Sequence, residues 1–182
     1  MVRMSDEASG SAGRVRTLLL LRHAKSDYPP DVADHQRPLA PRGIREAGLA
    51  GDWLRANVPP IDAVLCSTAT RTRQTLTRTR IGAPVQYVDR LYDASPGAVI
   101  DEINGVADRF EFEVRTLLVI GHEPAMSSVA LGLAAAETSN AAAAEHISTK
   151  FPTSSIAVLR SEEPWDALTL SSAALVTFNV PR

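Results

Sequence analysis

Four side chains suited to phosphate chemistry follow directly on short apolar runs. Arg22-His23 comes after Thr-Leu-Leu-Leu-Leu at 17–21, and Arg71 closes Ser67-Thr68-Ala69-Thr70-Arg71 after Ala-Val-Leu-Cys at 63–66. His122 lies in Gly121-His122-Glu123-Pro124, after Thr-Leu-Leu-Val-Ile at 116–120. Guanidinium groups offer rigid forks of donors that match a phosphoryl group. A neutral imidazole attacks phosphorus and then departs readily to water, so His23 fits a nucleophile. A second, cationic histidine, His122, would stabilise charge on the equatorial oxygens. Few carboxylates lie near these motifs, so protein cations rather than a magnesium ion would meet the phosphate charge. Together the four describe phosphoryl transfer through a phosphohistidine.

Each piece alone has a plainer reading. An Arg-His pair after a strand is commonly structural, Arg71 alone is a solvated helix residue, and Gly121-His122 alone is a turn with a capping histidine. The functional reading therefore depends on the elements that would bring the pieces together. The runs at 17–21, 63–66, 116–120, 156–159 and 174–178 read as buried strands, with a short edge strand at 85–88. Helices are predicted at 41–56, where Pro41 opens the segment and Val58-Pro59-Pro60 stops it, and at 70–79, 96–107 and 124–136. The alanine-rich stretch 134–144 is either continuous helix or a helix end, a loop and a second short helix, because Thr138, Ser139 and Asn140 interrupt it.

Strand followed by helix, repeated, implies an α/β fold: a three-layer α/β/α sandwich around a central, mainly parallel sheet. In such sheets ligands sit outside the carboxyl ends of the strands. Two arginines and two histidines fall at three of those ends, and helix N-termini beyond Ser67 and Gly121 would add N–H donors and positive dipole ends.

The totals agree with one globular unit. The chain has 182 residues, is 45% hydrophobic and carries a formal net charge of −2, which argues against a body built to coat nucleic acid. Its one cysteine, Cys66, excludes an internal disulfide and an all-cysteine zinc site, and it fits a cytoplasmic location. Residues 1–16 are small, polar and of mixed charge, so they read as a flexible tail ahead of a domain at 17–182 rather than a secretory signal. No apolar run is long enough for a membrane helix.

The motifs Arg22-His23-Ala24-Lys25-Ser26, Ser67 to Thr75 and Gly121-His122-Glu123-Pro124 resemble those of the histidine phosphatase superfamily, also called the phosphoglycerate mutase-like fold. The segments Arg37-Pro38-Leu39-Ala40-Pro41-Arg42-Gly43 and Phe151-Pro152-Thr153-Ser154-Ser155-Ile156 resemble its compact branch, which contains protein phosphohistidine phosphatases of the SixA type. The resemblance covers nearly everything from Thr17 to Arg182 in the family's order. It implies that His23 is phosphorylated, that Arg22, Arg71 and His122 complete the phosphate pocket, and that no metal or other cofactor is needed. It also implies a phosphorylated protein or a small phosphorylated metabolite as partner, while the net charge and the lack of a long apolar run speak for no nucleic acid and no membrane.

Two departures bear on function. Thr68 stands where the second motif often has proline. Larger relatives use a carboxylic acid as proton donor to the leaving oxygen, and the comparable stretch here, 89–94, offers Asp93, which equally reads as a turn or helix-start residue. A weak acid suits a leaving group that departs with little help, such as a phosphorylated imidazole, better than an alkyl phosphate. Phosphohistidine is therefore favoured over phosphoglycerate. A phosphate- or phosphohistidine-binding module with little turnover, and a phosphoglycerate mutase-like mutase, are the alternatives.

Other residues have rival readings. Lys25 and Ser26 either touch substrate or line the rim. Arg42 either binds an outer phosphate or protein substrate, or pairs with Glu46 one turn on. Cys66 and Arg71 are separated by four residues with no glycine, one short of a cysteine-phosphatase loop, so Cys66 reads as a buried strand residue. The arginines of 71–80 spread around a helix without interleaved aromatics, unlike a nucleic-acid surface. His35 and His146 read as loop histidines, with no same-face partner spacing for a metal.

Overall fold

A computed structural model describes residues 15–182. Six strands form one sheet: β1 (Arg16–Arg22), β2 (Ala63–Ser67), β3 (Val85–Val88), β4 (Thr116–Gly121), β5 (Ile156–Ser161) and β6 (Ala174–Asn179). Their order across the sheet is β3-β2-β4-β1-β5-β6. The four strands from β3 to β1 pair in parallel, while β5 runs antiparallel to both β1 and β6. The mainly parallel α/β/α sandwich expected from the sequence is thus what forms, with β3 at one edge. The run at 174–178, expected to be buried, is the opposite edge strand β6 and is half-buried apart from Leu175, because it has a neighbour on one side only.

The apolar runs are continuous because both faces of the sheet are covered. Leu18 and Leu20 of β1, Leu65 of β2 and Leu117 and Val119 of β4 pack into one core. That core is closed by α3 (Pro96–Asn104), α4 (Val106–Arg109), α5 (Ala125–Leu133) and α6 (Ala141–Thr149). Leu19, Leu21, Val64, Cys66, Leu118 and Ile120 face the other way, under α1 (Pro41–Asn57) and α2 (Thr70–Thr79). Burying each such side chain contributes about 1.5–3 kcal/mol, so the central strands are firmly fixed. Cys66 is wholly buried and desolvation pushes its thiol up to about 12, which makes it an inert core residue.

Two glycines let α1 lie close to its neighbours. A Cβ at Gly43 would stand 2.0 Å from the Lys25 carbonyl oxygen, and one at Gly51 would stand 2.2 Å from that of Thr79. The first contact seats α1 on the loop after β1, and the second seats it on the end of α2.

Several boundaries differ from the sequence reading. The helix expected at 96–107 breaks at Gly105, whose N–H is taken by the Asp101 and Ile103 carbonyls, giving α3 and α4. The helix expected at 124–136 ends at Leu133, where Ala134 turns to bridge Ala173. The alanine-rich stretch resolves into a helix end, a loop and α6, whose N-terminus is capped by the Asn140 side chain accepting from Ala143 N–H at 3.1 Å. Most of the expected tail, residues 1–14, lies outside the described residues, while Arg16 belongs to β1. Among the described residues no helix is long and apolar enough to cross a membrane.

Candidate active site

Strand register brings the chemistry-bearing residues to one edge. Arg22 of β1 pairs with Gly121 of β4, and Cys66 of β2 pairs with Ile120 of β4, so the carboxyl ends of all three strands are level. The next residue on each strand end is therefore a neighbour of the others. His23 N–H donates to the Gly121 carbonyl at 3.0 Å, and the rings of His23 and His122 sit 5.2 Å apart, centroid to centroid.

Each side chain is held from more than one element. The Nδ1 of His23 lies 2.7 Å from the carbonyl oxygen of Ala24. A carbonyl can only accept, so in the neutral ring Nδ1 carries the proton and Nε2 the lone pair. Ala24 N–H in turn donates to Thr75 Oγ1 of α2, and the Thr75 hydroxyl donates to the Arg71 carbonyl. The Arg22 guanidinium donates to the Phe151 carbonyl at 2.8 Å, while the Ser154 N–H, in a left-handed turn, reaches the Arg22 and His23 carbonyls. His122 Nε2 bonds Ser67 Oγ at 2.8 Å. Gln74 accepts from Leu39 N–H, tying the β1–α1 loop to α2. The first and second sequence motifs thus lock together through their polar residues.

Arg71 is buried and already engaged. It donates to the Asp34 carbonyl oxygen at 2.7 Å and to Asp34 Oδ2 at 3.1 Å. The Tyr92 hydroxyl donates to the same Oδ2 at 2.5 Å, and Arg37 donates to Oδ1 at 3.0 Å. The Tyr92 hydrogen bond above all, with Arg37 and Arg71, holds the Asp34 carboxyl well below the usual carboxylate range. The same bond raises the Tyr92 phenol. The Tyr92 ring stands edge-on to both His35 and His122. A cavity of about 120 Å³ opens here, lined by Asp34, Arg71, Tyr92, Asp93, His122 and Glu123 among others.

Burial sets the protonation states. Desolvation pushes His23 down to about 3, and the charges of His122, Arg71 and Arg22 add to it. His122 is pushed down to about 4, first by burial and then by Arg71. Both rings are neutral near pH 7, so the cationic His122 expected from sequence is not the resting form. A phosphoryl dianion beside it would raise its pKa. The Nε atoms of Arg22 and Arg71 and the Nδ1 of His122 are buried without a hydrogen-bond partner among the described residues. Unpaired buried donors are costly, and a phosphoryl group is the acceptor-rich species that satisfies such a set.

The remaining candidates lie as follows. Asp93 lines the cavity, exposed and in a left-handed conformation just before α3. Lys25 offers its carbonyl to Ala40 N–H and holds its ammonium 5.5 Å from the Tyr28 ring centroid. Ser26 is buried with its hydroxyl accepting from Arg37 at 2.6 Å. Arg42 pairs with Glu46 at 3.2 Å on α1, the local alternative considered from the sequence. His35 sits in a single 3-10 turn bonded to Thr68 Oγ1 at 3.0 Å, and His146 lies in α6 against Phe178 rather than in a loop. Asp34, Tyr92 and Ser67 were not singled out from sequence. Ser67 had a signal in ending a buried strand three positions before a helix, but Asp34 opens a single 3-10 turn and Tyr92 follows another, where spacing says nothing about direction.

A strand-end pair of buried histidines flanked by the half-buried Arg22 and the buried Arg71, on a mainly parallel sandwich, defines a phosphate-handling class of enzyme. The sequence pattern of the histidine phosphatase superfamily (branch 1) matches residues 18–158, and the chain belongs to that superfamily. An uncharacterized protein of Mycobacterium tuberculosis is 62% identical over 162 residues, covering 89% of this chain and all of that protein. A solved structure from Nakamurella multipartitia, assigned as the phosphohistidine phosphatase SixA, is 36% identical with a TM-score of 0.82, over 92% of this chain and 96% of that one. A similarly assigned structure from Agrobacterium tumefaciens is 27% identical with a TM-score of 0.71, over 91% and 99%. The chain is therefore a phosphatase of SixA-type architecture.

Proposed function

We propose that this chain hydrolyses phosphohistidine in proteins through a covalent phospho-His23 intermediate. The observation that carries the reading is the state of His23: its Nδ1–H is tied to the Ala24 carbonyl and its ring is kept neutral, so Nε2 keeps a lone pair beside Arg22, Arg71 and His122. Nε2 attacks phosphorus in line, an Nε2–P bond forms, and the bond from phosphorus to the leaving atom breaks. The leaving electron pair stays on the substrate imidazole, which departs neutral when its other nitrogen is already protonated. Water then attacks phospho-His23, releasing inorganic phosphate and returning His23 to its neutral form, with the water proton passing to a carboxylate or to solvent. Asp93, at the cavity wall, is the candidate to carry that proton. Lys25, Ser26 and Arg42 are assigned no step.

Asp34 has a part in this reading. Its backbone carbonyl and its carboxylate each occupy one of Arg71's donors, and the carboxylate is the nearest protein equivalent of the anion those donors suit. An incoming phosphoryl group takes over the guanidinium, and Asp34 is left on Arg37 and Tyr92.

The test is hydrolysis of a phosphohistidine peptide and of an aryl phosphate, with chelator present, by wild type and His23→Ala. Turnover of the peptide by wild type, with an acid-labile phosphoenzyme that His23→Ala does not form, is the expected result. Full activity in His23→Ala overturns the nucleophile, and binding without turnover on either substrate favours a reader module instead. Transfer of the phosphoryl group to a second alcohol rather than water would favour a mutase.

A further inference from the structure

Helices α1 and α2 enclose a second concavity, away from the strand ends. It has a volume of about 360 Å³ and is lined by Arg45, Gly48, Asp52, Arg55, Arg78 and Arg80, with two further residues and no aromatic side chain. Positions 45, 48, 52 and 55 recur every three or four residues, so they form one stripe along α1. Arg78 and Arg80 belong to the C-terminal end of α2. At about 1.5 Å per residue, that end lies about 13 Å along the axis from Arg71.

The charges in this groove are not balanced within the protein. Arg55 is committed: it donates to the Thr79 carbonyl at 2.6 Å and to Asp52 at 2.8 Å, which also uses the one carboxylate in the lining. Among the described residues the side chains of Arg45, Arg78 and Arg80 make no hydrogen bond or ion pair. Arg78 and Arg80 can be accounted for by the negative end of the α2 dipole. Arg45, mid-helix on α1, has no such account.

Gly48 supplies an independent observation. Gly43 and Gly51 on the same helix are required by backbone approaches of 2.0 and 2.2 Å, but a Cβ at Gly48 would meet nothing within 4 Å. Glycine is a poor helix former, and here no close contact demands it. Its one local effect is to leave the floor of the arginine-lined groove open.

We propose that this groove is a binding site for a small molecule carrying two phosphoryl groups, a diphosphate or bisphosphate. Three unpaired guanidiniums match the charge of about −3 to −4 that two phosphoryl groups carry. Their forked donors fit phosphoryl oxygens, and the volume is that of a small-ligand pocket. With no ring to stack a base, recognition rests on the phosphoryl groups. The site is independent of the His23 reading.

The experiment is calorimetric titration of pyrophosphate into the full chain carrying Arg71→Ala, which disables the strand-end pocket. A single site is expected, with its Kd raised at least about tenfold by Arg45→Gln/Arg78→Gln, since each lost guanidinium removes charge-assisted bonds. Gly48→Leu, which fills the floor, should weaken binding to a similar degree. In the chain that retains Arg71, the same substitutions should leave aryl phosphate turnover within about twofold, because none of them touches the histidine pocket. Absence of binding in the Arg71→Ala chain, or a Kd that Arg45→Gln/Arg78→Gln leaves unmoved, overturns the proposal. The arginine variants decide the matter even if Gly48→Leu misfolds.

Discussion

The two ends of α2 carry the same kind of side chain in opposite circumstances. At the N-terminal end Arg71 is buried, its guanidinium fixed by the carbonyl and carboxylate of Asp34 beneath the Tyr92 ring. At the C-terminal end Arg78 and Arg80 are exposed and bear on an open groove. A buried guanidinium with one edge still unpaired is a preorganised ligand for an anion, since its desolvation and ordering are already met by the fold. An exposed one must be ordered by whatever it binds. In the proposed reading the first end serves chemistry on a phosphoryl group, and the second at most holds one.

That contrast can be broken most sharply by activity. Arg71→Ala should lower kcat/KM on an aryl phosphate by about 10²–10³, the usual loss when one preorganised donor to a developing charge is removed. Arg78→Ala, measured alongside, should change it by less than about twofold, and equal losses would erase the distinction between the ends.

A smaller effect probes why Arg71 is preorganised. Asp34→Asn keeps the shape of the side chain but removes the charge that competes for the guanidinium. Tungstate, as a phosphate mimic, should then bind about tenfold more tightly, equivalent to about 1.4 kcal/mol. Weaker binding would instead make Asp34 a support that orients Arg71 and not a competitor.

A separate probe of the buried strand-end pocket is stability against pH. His23 and His122 have folded-state pKa values pushed down to about 3 and about 4, below the ordinary 6.5. Between those limits the unfolded chain binds the protons the folded chain refuses. Stability is then fully present above pH 6.5 and is lost as pH falls toward 4. Each histidine adds up to about 1.4 kcal/mol per pH unit to that slope, an upper bound. Urea midpoints of His23→Ala between pH 4 and 6 should show a shallower slope than wild type, and an unchanged slope would mean that His23 is solvated.

Much of this architecture was legible in advance because it follows from periodicity. All six strands were placed within a residue or two, since short apolar runs closed by polar residues have few other solutions. The burial of 174–178 was misread, because only the sheet order shows that β6 is an edge strand. The breaks at Gly105 and Ala134 were missed because one depends on a local capping geometry and the other on a bridge to Ala173, far along the chain. Arg22, His23, Arg71 and His122 were legible as candidates because each follows a strand end. Asp34 and Tyr92 were not. They come from loops after β1 and β3, and only the folded chain shows that both turn toward Arg71.

By itself the sequence determined the alternation of strand and helix, and with it the edge at which a ligand site must lie, because hydrophobic period is a local property of the chain. The tertiary structure alone decided protonation and partnership. Burial made both histidines neutral, and a loop carboxylate took up Arg71. Desolvation and hydrogen-bond direction depend on neighbours tens of residues away, which no local pattern encodes. The same division holds for the groove, where Gly48 is merely an unfavourable helix residue until α2 is packed beside it.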